Sequence, residues 1–287
     1  MCINHDVISR NHGFISGCKQ QSLADSVFLI AGCGSIGGGT VELLVRTGAR
    51  KFILADPDMY DYTNLNRQSA GYHDVGCNKA EFMCSKIRWV NPECDVDVYT
   101  EGLTENNIPE LLARADIVID GVDVTTHSGW VAKLALHETA KQYRLPVISG
   151  YDMDATQYTL FHDYRDENER LFKGRIDERH IHTLEPLDIC LLLITPNNMP
   201  LGIFEELERI KRGEKEFVSQ LGISANLFGV IAVSMVLRII SGEKVEHEVY
   251  MDMLEILGAY TSFDEERLQR FRDVYIQKMW HLQKEIL

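Results

Sequence analysis

Residues 27–37 read Val-Phe-Leu-Ile-Ala-Gly-Cys-Gly-Ser-Ile-Gly, an apolar run of strand length that breaks into glycines spaced G-x-G-x-x-G. Gly32, Gly34 and Gly37 let a backbone turn tightly and approach a ligand, and a helix N-terminus following them favours anionic oxygen. A second apolar run, Lys51-Phe-Ile-Leu-Ala-Asp56, ends in a carboxylate. At the end of a second strand that carboxylate can accept both hydroxyls of a ribose. Strand, glycine loop, helix and distal acid together predict a nucleotide site, where the glycines alone would carry little.

Working outward, the chain alternates. Helices are predicted over Gln20 to Asp25, Gly39 to Gly48, Asn78 to Val90, 106–115 and His127 to Tyr143. Strands are predicted at "CDVDVYTEGL" (94–103), "DIVIDGVD" (116–123) and "LPVISGYD" (145–152). This rhythm implies βαβ units and a mainly parallel sheet flanked by helices, an α/β Rossmann-like fold. After Tyr158 the alternation stops. Residues 163–223 are charged and irregular, with one helix expected at "LGIFEELERIKRGE" (201–214), a solvated one with intrahelical ion pairs. An apolar helix follows over Ser224 to Ile240, then an alternating antiparallel strand, "EVYMDML". A final helix opens on Ser262-Phe-Asp-Glu265, read as a capping box, with Leu268, Phe271, Tyr275, Leu282 and Ile286 inward. The expected organisation is a nucleotide-binding half, 1–160, and a substrate-docking and dimerisation half, 161–287. The second half is an antiparallel and helical extension packed into the same domain.

Composition bounds the function. The formal net charge of −14 argues against a nucleic-acid partner, whose phosphates need lysine and arginine. The start, "MCINHDVISRNHGFIS", lacks the apolar core of a secretory signal, and the apolar run Leu227 to Leu237 is too short to span a bilayer. No membrane association is expected. The seven cysteines (2, 18, 33, 77, 84, 94, 190) form no CxxC pair. They suit free thiols in a reducing compartment, and the cytoplasm is the expected location.

A dinucleotide-dependent dehydrogenase would explain the glycines and Asp56 but leaves the polar run Asp61-Tyr-Thr-Asn64-Leu-Asn-Arg67-Gln68 without a task. That run, followed by Gly76-Cys-Asn-Lys79 and by Asp120-x-x-Asp123, resembles the ThiF/MoeB/HesA superfamily of ubiquitin-activating-like adenylyltransferases. The glycine loop, ribose acid, "sNLxRQ", "GxxK" and "DxxD" occur in that order over about residues 8–160, and "PVISGYDMDATQYTLF" fits the next strand pair. The resemblance implies an ATP-dependent enzyme that activates a carboxylate as an acyl-adenylate. Gly32, Gly34, Gly37, Asp56, Asp58, Asn64, Gln68 and Lys79 would bind the nucleotide. Arg67 and Lys79 would neutralise the triphosphate, Asp123 would hold Mg²⁺, and Arg10 would reach the phosphates of the other subunit in a homodimer. Val124 follows Asp123 where relatives carry Asn.

The implied substrate is the C-terminus of a small ubiquitin-like or sulfur-carrier protein, or a biosynthetic peptide. Activation and cyclisation of a tRNA-base carboxylate uses the same chemistry, and a non-catalytic Rossmann scaffold subunit is the other alternative. The zinc-binding CxxC pairs of many relatives are missing, so no zinc is expected. Cys190, where some relatives place a thioester-forming thiol, sits in an apolar run and reads as a buried hydrophobe. Cys33 reads as a small side chain required by the loop. His180-x-His182 with Asp188 lacks a further ligand and reads as solvated.

Overall fold

A computed structural model describes residues 7–285; Cys2 and Ile286 lie outside them. The described strands are β1 (Val27–Ala31), β2 (Lys51–Ala55), β3 (Asp95–Tyr99), β4 (Ile117–Asp120), β5 (Pro146–Met153), β6 (Thr156–Asp163) and β7 (Glu248–Asp252). They form one sheet in the order β3-β2-β1-β4-β5-β6-β7. The first five pair in parallel, whereas β5-β6 and β6-β7 are antiparallel. This is a Rossmann-like mixed sheet whose antiparallel edge is formed by β6 and β7. Near-continuous apolar strands such as Val27-Phe-Leu-Ile-Ala31 suit its centre, because both faces are covered.

The helices are α1 (Gly17–Asp25), α2 (Ser35–Thr47), α3 (Lys79–Val90), α4 (Ile108–Arg114), α5 (His127–Gln142), α6 (Glu178–Thr183), α7 (Pro186–Ile194), α8 (Leu201–Lys211), α9 (Gly222–Ile239), α10 (Met253–Ile256) and α11 (Ser262–Glu285). α2 begins four residues before the expected Gly39. At Gly39 it admits α9 at backbone distance: a Cβ on Gly229 would stand 2.9 Å from the Gly39 carbonyl oxygen. Gly48, at φ 115°, closes the helix in the left-handed region. α9 begins two residues before the expected Ser224, and its 18 residues have a mean hydropathy of 1.8. By length and composition alone it could cross a bilayer, but 56% of that window is buried within the protein. The region 163–223 holds more helix than expected, since α6 and α7 join α8 there.

The cap of α11 lies one residue earlier than predicted. Thr261 Oγ1 accepts from the Asp264 N–H at 3.2 Å, and the Asp264 carboxylate accepts from the Thr261 N–H at 3.0 Å. Leu268, Tyr275 and Leu282 are buried, and Phe271 packs partly buried beside them.

Beneath β4 and β6 lies a buried polar network that the sequence reading did not anticipate. Asp120 accepts from Lys133, from His137 Nε2 at 3.0 Å and from Ser149 at 2.7 Å, and all four residues are buried. His137 Nδ1 meets the Tyr164 hydroxyl at 2.7 Å, and the His162 ring stacks on Tyr164. Burial, which His137 and Lys173 reinforce against Glu169, pushes His162 down to about 3. An unfolded chain binds a proton at His162 between pH ~6.5 and ~3 that the folded chain refuses. The contribution of His162 to stability therefore falls as pH is lowered through that window, by about 1.4 kcal/mol per unit. Urea melts of wild type and His162→Gln at pH 7 and pH 5 should differ by this slope, whatever the other titrating groups contribute to both proteins. An unchanged slope would remove His162 as its source.

Candidate functional site

The glycine loop sits between β1 and α2, and Gly32 and Gly37 each answer a separate steric demand. Gly32 has φ 89°, and a Cβ there would stand 2.4 Å from the Gly121 carbonyl oxygen. A Cβ on Gly37 would stand 1.9 Å from the Gly32 carbonyl oxygen, so α2 can pack against β1 only without one. Gly34 faces Gln68, whose Nε2 would lie 3.4 Å from an added Cβ. Cys33 is fully buried in the loop, and burial together with Asp56 raises its thiol far above the ordinary range.

Asp56 follows the end of β2. Its Oδ2 accepts from the Cys33 N–H at 2.6 Å and its Oδ1 from the Asp58 N–H at 2.8 Å, which ties the acid to the loop. Burial raises its carboxyl, opposed by Lys79 and these two amides. Lys79, the first residue of α3, is 8% exposed, and its ammonium lies 2.8 Å from Asp58 Oδ2. Asn78 caps α3 by accepting from Ala80 and Glu81, while its own amide donates to the Asp56 and Asp58 carbonyls. The cap thus fixes Lys79 beside the acid end of β2, and its charge is felt at both Asp56 and Cys33.

The polar run turns through a short 3-10 helix, Tyr62–Asn64, closed by a reciprocal Asp61–Asn64 cap. Asn64 Oδ1 is engaged there by the Asp61 N–H at 3.1 Å. Arg67 donates to the Thr63 carbonyl at 2.8 Å and to Asn66 Oδ1 at 3.0 Å, while its buried Nε has no partner. Burial lowers its guanidinium's proton affinity, opposed by Asp152 and Asp123, so both acids lie within its field. Gln68 Oε1 is likewise buried without a partner. Arg67 and Gln68 line a cleft of about 190 Å³ with Ser35, Gly39, Leu65, Asn66, Ser69, Gly222, Ala225 and Asn226.

Asp123 lies in the exposed β4–α5 loop, where Thr125 Oγ1 donates to its carboxylate at 2.8 Å. Arg10 stands exposed on a 3-10 turn, Ser9–Asn11, and is not part of the cleft wall. Cys190 is buried in α7, and burial pushes its thiol up to about 12. A thiol so placed is a poor nucleophile. Native protein should leave Cys190 unlabelled by iodoacetamide, and Cys190→Ala should keep activity within about twofold, as a buried hydrophobe would. Loss of activity would restore Cys190 as a nucleophile. His180 pairs with Asp177 at 2.6 Å and His182 with Glu178 at 3.7 Å. Among the described residues, no three His, Cys, Asp or Glu side chains gather to hold a metal.

Sequence reasoning missed Asp152. Both of its carboxylate oxygens are buried without a hydrogen bond, beside Ser35 and Arg67. Nothing in "SGYDMDATQ" marks it, because its neighbours come from α2 and the polar run.

The family described as "ThiF family" matches residues 8–281. The Escherichia coli tRNA threonylcarbamoyladenosine dehydratase is 34% identical over 143 residues, covering 48% of this chain and 52% of that protein. The Bacillus subtilis sulfur carrier protein ThiS adenylyltransferase is 28% identical over 134 residues, covering 46% of this chain and 38% of that protein. The chain thus spans about half the length, or less, of these curated relatives. Among solved structures, the E. coli tRNA N6-threonylcarbamoyladenosine dehydratase in complex with ATP superposes with a TM-score of 0.59 at 22% identity. That match covers 84% of this chain and 98% of the other, and it shows a shared fold.

Proposed function

Because this chain belongs to the ThiF family, we propose that it is an ATP-dependent adenylyltransferase, activating a carboxylate as an acyl-adenylate with release of pyrophosphate. The observation that supports this most is the gathering of two cations around one glycine turn. Lys79 acts on Asp56 and Cys33 from one side, and Arg67 lines the cleft with Ser35, the first residue of α2, from the other. In the reaction a substrate carboxylate attacks the α-phosphorus, a P–O bond forms, and the bond to the β-phosphate oxygen breaks. The nucleophile is already ionised at neutral pH, so the enzyme has to supply positive charge and alignment rather than a strong base.

Gly32, Gly34 and Gly37 would bring backbone against the phosphates, and Asp56 would accept the ribose hydroxyls. Asp58, Asn64 and Gln68 would complete the nucleotide contacts. Arg67 and Lys79 would neutralise the charge that builds on the phosphates. Asp123 offers an exposed hard-oxygen carboxylate within the field of Arg67, a donor that fits Mg²⁺. When bound, the ion would supply further neutralisation of the triphosphate. Arg10 would act from the partner subunit of a homodimer, and a reaction dependent on ATP suits the cytoplasm.

The proposed substrate is the C-terminus of a small sulfur-carrier or ubiquitin-like protein, or a peptide; the resemblance to a ThiS adenylyltransferase favours it. Calorimetry should detect MgATP binding, and labelled pyrophosphate should exchange into ATP once the right carboxylate is present. No binding at millimolar MgATP would end this reading.

A second reading, activation and cyclisation of a tRNA-base carboxylate, is favoured by the 34% identity to the E. coli dehydratase. The net charge of −14 weighs against it. Filter binding at moderate salt decides between them, since tight, salt-sensitive tRNA binding would promote the tRNA substrate.

A further inference from the structure

Asp152 stands next to last on β5, with both carboxylate oxygens buried and unpartnered. A buried polar group left in this state costs free energy, which makes its surroundings informative. Ser35, at the N-terminus of α2, is the hydroxyl placed to serve it, though it falls short of hydrogen-bonding geometry. Gln157, directly across the strand pair, gives no help: its Nε2 donates to the Tyr158 carbonyl at 2.9 Å, and its Oε1 is itself unpartnered. Phe228 of α9, packed over the neighbouring Gly150, is apolar. The charged group facing Asp152 is Arg67, from the polar run, and Arg67 also feels Asp123. Burial accordingly raises the Asp152 carboxyl to about 7, with Ser35 and Arg67 opposing.

These two opposing groups belong to the wall where the reading above puts the phosphates. A helix N-terminus and a guanidinium attract anionic oxygen. A bound phosphate would engage Ser35 and Arg67 and set its own negative charge beside Asp152. The ionised carboxylate would then lose its compensation and face a like charge, and each effect favours the protonated form. We propose that Asp152 enters the nucleotide complex as a neutral carboxylic acid and donates a hydrogen bond to a phosphate oxygen of the bound nucleotide. The inference rests on the ATP reading. The balance is simple: one proton is taken from solvent onto Asp152, and no other bond is made or broken.

The test is calorimetry of MgATP binding, with magnesium in excess, in buffers of different ionisation enthalpy. At about pH 8 the wild type should take up close to one proton more than Asp152→Asn, since an acid titrating near 7 is then mostly ionised before binding. At about pH 8.5 only roughly one wild-type molecule in thirty carries the neutral acid. Asp152→Asn should therefore bind MgATP up to thirtyfold tighter relative to wild type than it does at about pH 6. In the wild type, an infrared difference spectrum on adding MgATP should gain a carboxylic acid C=O band that the variant lacks, a readout that needs no comparison of affinities. Equal proton uptake in the two proteins, or no new band, overturns the proposal. Proton release relative to the variant also overturns it and would make Asp152 a ligand of the magnesium ion. Wild-type protein that binds no MgATP at all defeats the nucleotide reading itself, and this inference with it.

Discussion

Lys133→Met should unfold the protein at markedly lower denaturant, with a loss of about 3–5 kcal/mol, the range for removing one partner of a buried ion pair. Lys133 and Asp120 are both essentially without solvent contact, and the ammonium donates to Asp120 Oδ2. Burial alone would raise the Asp120 carboxyl. The charge of Lys133 and the hydrogen bond from His137 more than reverse that, and hold it well below the usual carboxylate range. Methionine fills much of the same volume and keeps contact with the Tyr151 ring, 5.3 Å from the ammonium. What it removes is the positive charge, and Asp120 then stays buried with His137, Ser149 and the Val122 N–H as its remaining donors. Lys133→Met/Asp120→Leu should recover part of the loss, because no orphaned charge remains, while His137 and Ser149 lose their acceptor. A single variant within about 1 kcal/mol of wild type would mean that Asp120 is compensated without Lys133. The consequence reaches the site, since Asp120 ends β4 three residues before Asp123, and Lys133 lies on the helix that leaves the Asp123 loop.

The elements that carried a local period or a breaker were legible in the sequence. β1 to β5, α3 and α5 fell within a few residues of expectation because apolar runs, Asn78 and the glycine loop mark their ends. α7 was invisible as a helix: Pro186-Leu-Asp-Ile-Cys-Leu-Leu-Leu-Ile194 is buried nearly all round, and a segment without a polar face shows no 3.6-residue period. The early start of α2 was hidden for a different reason. Gly37 lies against the Gly32 carbonyl and Gly39 against α9, close approaches between distant segments that no local period announces.

The site divides in the same way. Gly32, Asp56, Arg67, Lys79 and Asp123 were readable as ordered motifs. Asp152 was not, because it becomes notable only when the β5 strand is laid beside α2 and the polar run. The buried network left one usable sign. Lys133 and His137 fall at the spacing of the α5 core face, with Trp130 before them and Ala140 after. A lysine and a histidine in such positions require buried partners.

Lys79→Ala should reduce pyrophosphate exchange by about 10²–10³-fold, the scale seen when one aimed charge or donor is removed from a transition state. The resting geometry explains why the loss should fall on chemistry rather than on folding. Lys79 is nearly buried, but its partner Asp58 is exposed, with 64% of its side chain in solvent. Removing the ammonium therefore leaves a carboxylate that water can serve, and stability should fall by no more than about 1 kcal/mol. The fold around it is held independently, by the Asn78 cap and by the Lys79 N–H donating to the Asp58 carbonyl at 2.9 Å. A triphosphate carries more charge than one aspartate, so binding should draw the ammonium from Asp58 toward the glycine turn, beside which it already acts on Asp56. Asp58→Asn separates the two states. If Asp58 only parks the lysine, this variant should bind MgATP at least as tightly as wild type, whereas weaker binding would mean that Asp58 itself contacts the nucleotide. Lys79→Arg should recover only part of the exchange, because a planar fork cannot reproduce a compact ammonium at the start of a helix. Exchange that survives Lys79→Ala undiminished would take this residue out of the reaction and leave Arg67 as the cation beside the phosphates.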